Sequence, residues 1–186
     1  MRKFLVFCLF VLFSGFSAAA NADLLVTTVP GASPYPQIVV PGTVNMGTFN
    51  VVDTNNDADV IRDLTVNVTS GTNEVMWCSI YNGTTTITSM CVGGQAMFYN
   101  LGLSVPPNAA GLNFSVNAEL TGSGNGYSGI SGDSIQLGIT KPIKYIDGPS
   151  TFYSSPQSAY TNTMDYYGSR PYFTNIPIST LSLIHI

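Results

Sequence analysis

Apolar and polar positions alternate along most of this chain, and the three- and four-residue spacing of an amphipathic helix is nearly absent. The run TVNMGTFNVV sets Val44, Met46 and Thr48 on one face in turn. VIRDLTVNVT sets Leu64, Val66 and Val68 against Thr65, Asn67 and Thr69. VMWCSIY and TTITSMCV flank Asn82-Gly83. GLNFSVNAEL alternates through Leu112, Phe114, Val116, Ala118 and Leu120, and DSIQLGIT through Ile135, Leu137 and Ile139. Val, Ile, Thr, Phe and Tyr supply these runs, and their branched or flat side chains suit a half-buried pleat. Pro30-Gly31, Pro41-Gly42, Asn82-Gly83, Gly93-Gly94 and Pro106-Pro107 punctuate them at short intervals. Short strands with regular turns predict an all-β fold, an antiparallel β-sandwich over residues 23–140. TGSGNGYSGISGD, residues 121–133, is a flexible loop inside that domain, because a strand follows it. After Thr140 no strand pattern repeats. Residues 141–180, rich in Tyr, Ser, Pro and Asn, read as an irregular extension, either a linker or the start of a further module.

The N-terminus predicts that the chain is exported from the cytoplasm. Arg2 and Lys3 precede the apolar run Phe4–Phe16, and Ala20-Asn21-Ala22 forms a small-x-small cleavage site. The run is too short to span a bilayer, so residues 1–22 read as a signal peptide that takes Cys8 with it. No later stretch is apolar enough to cross a membrane. Losing Arg2 and Lys3 with the leader moves the formal charge from −4 to −6. The remaining cations are Arg62, Lys141, Lys144 and Arg170. So few, on an acidic chain, exclude nucleic acid, whose phosphates need clustered Lys and Arg.

CSIYNGTTTITSMC reads as one hairpin, because Asn-Gly tolerates the positive φ of a tight turn. A turn centred near Gly83 to Thr86 brings Cys78 and Cys91 roughly opposite each other. An even pair in an exported chain is expected to be bridged. Such a bridge stabilises by about 3 kcal/mol in the chain-entropy view. A redox pair needs C-x-x-C spacing or an activating Lys or His beside it, and neither stands there. Trp77, next to Cys78, points to the opposite face, so one of the two lies outward or at an edge.

Several stretches carry a resemblance: Tyr81-Asn82-Gly83-Thr84-Thr85, Ala96-Met97-Phe98, Leu103-Ser104-Val105-Pro106-Pro107-Asn108-Ala109 and Gly132-Asp133-Ser134-Ile135. With SPYPQIVVPGTVNMGTFNV upstream, this series resembles the Ig-like β-sandwich modules of bacterial secreted and surface-layer-like proteins, notably those of the ultra-small candidate phyla. The likeness covers roughly residues 33–140, and the Cys78/Cys91 pair departs from the family pattern. It implies an Ig-like sandwich and a cell-surface or adhesive scaffold role, and it supplies no catalytic residues.

Asp53, Asn55, Asp57 and Asp59 place an oxygen ligand at every second position, and Ca²⁺ prefers such donors. An EF-type loop needs Gly sixth and Glu twelfth, where this chain has Ala58 and Leu64. The competing reading is a polar turn whose Asp and Asn bond to the local backbone. Aromatic residues crowd the tail: Tyr145, Phe152, Tyr153, Tyr160, Tyr166, Tyr167, Tyr172 and Phe173. Packing is the main use of such area; stacking on sugar rings, with Tyr166 and Tyr167 as the platform, is the other. No G-x-S-x-G, H-E-x-x-H or Cys-His arrangement occurs. Leu181-Ser182-Leu183-Ile184-His185-Ile186 is what CTG TCT CTT ATA CAC ATC encodes, a string that resembles a transposase adapter used in sequencing libraries. Residues 181–186 are therefore expected not to belong to the natural chain, which would continue past Thr180. The expectation is a non-enzymatic secreted or cell-surface structural and adhesive module. Its partners would be neighbouring surface modules or cell-envelope components. The alternative is a carbohydrate-binding or accessory domain of a secreted hydrolase, with glycans as ligands.

Overall fold

The computed structural model describes residues 24–31, 38–39, 41–55, 57–107, 109–121 and 133–166. The leader, most of the Gly/Ser loop, residues 167–180 and the 181–186 segment with His185 lie outside the described residues. Among those described, the chain is all-β, as its alternation predicts.

The strands are β1 (Leu24–Thr28), β2 (Ile38–Val39), β3 (Gly42–Asp53), β4 (Asp59–Ser70), β5 (Val75–Tyr81), β6 (Thr86–Val92) and β7 (Gln95–Phe98). They continue with β8 (Leu103–Val105), β9 (Leu112–Leu120), β10 (Ser134–Ile139), β11 (Lys144–Asp147), β12 (Ser150–Tyr153), β13 (Ala159–Tyr160) and β14 (Met164–Tyr166). One connected network runs β1-β3-β9-β5-β6-β7-β4-β10-β14-β2, with β8, β11, β12 and β13 pairing at its sides. The pairings are antiparallel except for β14 with β2. The network is nearly closed and barrel-like.

Alternation holds where the expected strands are regular. Leu64, Val66 and Val68 of β4 face the core, and so do Phe114, Val116, Ala118 and Leu120 of β9. It breaks where a strand takes an extra residue. In β3 the register against β9 slips between Asn45 and Gly47, so Met46 is bulged. Met46 is buried, and beyond it the inward parity switches to Phe49, Val51 and Asp53. Thr48 therefore leaves the face it was expected to share with Val44 and Met46. A bulge places two residues against one and rotates all that follow. β4 slips likewise where it meets β11, between its Ile61 and Asp63 partners. Its first half pairs with β8 and β11, and its second half with β7 and β10.

The boundary expected at residue 140 is not one, and residues 141–166 are not a linker. β11 pairs with β4, β13 with β10, and β14 with both β10 and β2. Ile143, Tyr145, Met164 and Tyr166 are fully buried in the same core as Phe49 and Phe114. These late strands have two to four residues. Such lengths are too short to display a period of two, so composition read them as irregular.

Candidate functional site

Asp53 ends β3 and Asp59 opens β4, and the chain turns between them. Both continue the inward parity of their strands, which is why carboxylates sit at the rim of an apolar core. Asp53 is 4% exposed and Asp59 0%. Asp53 Oδ1 accepts the Asn55 N–H at 2.8 Å, and Oδ2 accepts the Asp57 N–H at 2.7 Å. These are the local bonds of a polar turn. One carboxylate oxygen from each of Asp53, Asp57 and Asp59 lies within 4.8 Å of the others. Asn55 is exposed and meets the group through its backbone N–H. β11 brings Asp147 opposite Asp59, a fourth carboxylate that local spacing could not reveal. Hydrogen bonding with Asp53 holds the Asp57 carboxyl above its ordinary range; desolvation and the like charges of Asp53 and Asp147 add to this. Close carboxylates of this kind repel, and either a proton or a hard cation relieves them.

The hairpin of β5 and β6 forms as its turn residues predict. Gly83 has φ 97°, and Asn82 Oδ1 accepts the N–H groups of Thr84 and Thr85 at 3.1 and 2.9 Å. Tyr81 pairs with Thr86, and Cys78 with Ser89. Cys78 and Cys91 are thus diagonal neighbours on the inner face rather than direct opposites. Both are free thiols, with their sulfurs 3.4 Å apart. The expected pairing is within reach, although no bond joins the sulfurs here.

The tail aromatics divide. Tyr145 and Tyr166 are fully buried, and Tyr145 packs on Phe152 with ring centroids 5.9 Å apart. The Tyr166 hydroxyl donates to the Thr121 carbonyl. Tyr166 therefore offers no face to a sugar, because the core occupies it. Phe152, Tyr153 and Tyr160 remain exposed. Tyr167, Tyr172 and Phe173 lie outside the described residues. A shallow hollow of about 280 Å³, which sequence reasoning missed, lies beside the Asn82-Gly83 turn. Thr48, Tyr81, Asn82, Asn113 and Ser115 line it. Its lining comes from three strands distant in sequence, so no local motif marks it. Glu74, buried at 1% exposure, was likewise not singled out.

Among the described residues no helix is long and apolar enough to cross a membrane. No family model matches the chain, and no curated protein matches it.

Proposed function

We propose that this chain is a secreted or cell-surface structural module, non-enzymatic, that serves as scaffold, stalk or adhesin. One observation carries the reading: a single apolar core spans β1 to β14 inside a nearly closed strand network. A nearly closed network with a continuous core holds its loops in fixed positions, which suits presentation to a partner. The leader-like N-terminus and the sparse charge support export. An Ig-like sandwich arrangement of the strands belongs to this reading, with neighbouring modules or envelope components as partners. The test is expression of the full chain in a bacterial host, followed by fractionation and antibody labelling of intact cells. Export with surface or extracellular protein is expected. Retention of the uncleaved chain in the cytoplasm would overturn it.

The hollow beside Tyr81 favours a second reading, carbohydrate binding. An exposed ring flanked by Asn, Ser and Thr combines a stacking face with hydrogen-bonding groups. Glycan-array binding that Tyr81→Ala abolishes, while Tyr153→Ala leaves it intact, would select this reading over a purely structural role.

A further inference from the structure

Cys78 and Cys91 differ in how they meet solvent. Cys78 is 0% exposed, under the sheet. Cys91 lies at the end of β6, 8% exposed, and lines a hollow of about 290 Å³ with Thr72, Asn73, Gly93 and Gly94. Val92 pairs with Gln95, so Gly93 and Gly94 form the two-residue turn into β7, with φ 58° and 74°. Both central residues of this turn type need positive φ, which favours glycine. The sulfurs are already 3.4 Å apart, so their joining needs little strand movement.

We propose that Cys91, reached through the hollow beside the Gly93-Gly94 turn, is the thiol that first attacks a disulfide-bearing oxidant, and that Cys78 resolves the product. Cys91 Sγ, as thiolate, attacks one sulfur of R–S–S–R. That S–S bond breaks, and R–S⁻ leaves and takes up a proton. Cys78 then attacks Cys91 Sγ, and its proton passes to the second R–S⁻ as that group departs. The Cys78–Cys91 bond joins β5 to β6. Two protein thiols are oxidised, and one external disulfide is reduced to two thiols.

The chemistry at the pair runs the same way. Hydrogen bonding with Cys78 lowers the Cys91 thiol below its ordinary value, against an opposing effect of burial. Cys78 is raised, by its hydrogen bond to Cys91 and then by its burial. Either sulfur can donate in this contact, so what sets Cys91 ahead is its place on the hollow, while Cys78 is fully buried.

The test uses the reduced full chain and oxidised glutathione, with peptide mapping to keep Cys8 apart. The parent should form the Cys78–Cys91 bond with no lasting adduct. Cys78→Ser should accumulate a glutathione mixed disulfide at Cys91, and Cys91→Ser should leave Cys78 unmodified. Brief alkylation of the folded, reduced parent reads the same asymmetry without any substitution. Cys91 should label at least about tenfold faster than Cys78, because Cys91 lines the hollow and Cys78 is fully buried. Equal labelling, faster modification of Cys78, or a parent that keeps both thiols under oxidised glutathione would overturn the proposal.

Discussion

Gln157 Oε1 accepts the Val26 backbone N–H at 2.8 Å, and Gln157 Nε2 donates to the Leu24 carbonyl at 3.2 Å. The carboxamide does for the outer edge of β1 what a further strand would do. β1 pairs on its other side with β3, so without Gln157 its edge would meet the 154–160 segment unpaired. Thr28 Oγ1 adds a bond to the Tyr160 carbonyl at 2.7 Å. A side chain thus joins the first strand to the late strands and narrows the gap in the network.

Gln157→Ala should destabilise the protein by about 2–3 kcal/mol, because it leaves a buried donor and acceptor on β1 without their partner. Gln157→Leu restores volume but not the bonds, and should be little better. Urea unfolding measures both, and hydrogen exchange should show lost protection at Val26. Parent-like stability of Gln157→Leu would show that packing alone holds β1.

A chain ending at residue 140 should not fold cooperatively. It loses Ile143, Tyr145, Met164 and Tyr166 from the core and uncovers one side of β10. Circular dichroism and a urea titration would show a broad transition in place of a sharp one. A cooperative 23–140 fragment would restore the boundary that composition suggested.

Tyr166 should divide into two effects. Tyr166→Ala removes a fully buried ring and should cost about 3–5 kcal/mol. Tyr166→Phe removes only the bond to Thr121 and should cost about 1 kcal/mol. Burial, then the charge of Glu74, raises the Tyr166 phenol above its ordinary value. The folded state therefore holds that proton more tightly than the unfolded chain does. Its contribution is complete below the unfolded phenol value of about 10 and is lost as pH rises beyond it. Tyr166→Phe should flatten this alkaline fall in melting temperature.

Asp57→Asn should stabilise the protein in EDTA at neutral pH, since Asp57 is held above the ordinary carboxylate range by its neighbours. A raised carboxyl value means that the ionised form is disfavoured in the fold. The gain should be present above the folded value and vanish as pH falls through it, where the parent protonates instead. Melting curves from acid to neutral pH measure this. Added Ca²⁺ separates the two readings of the turn. A rise in the parent melting temperature that Asp57→Asn lacks marks a cation held by Asp53, Asp57 and Asp59. Identical curves with and without Ca²⁺ leave a polar turn.

The all-β class, the hairpin at Asn82-Gly83 and the inward residues of β4 and β9 were determined by the sequence itself. They rest on local chemistry: a period of two, branched side chains, and turn residues that accept positive φ. The nearness of Cys78 to Cys91 and the grouping of Asp53, Asp57 and Asp59 were legible for the same reason, since short turns hold them together. Only the tertiary structure decided what lies beyond one turn. The bulge at Met46 moved Thr48 off the face it was expected to share, because register is set between strands and not along one. Asp147 joined the acidic group through β11, and the pairing of β6 with β7 set Cys91 beside the hollow at Gly93-Gly94. Residues 141–166 entered the core through strands too short to announce themselves. Their order comes from β4 and β10, which supply the hydrogen-bonding edges that such short segments cannot supply alone.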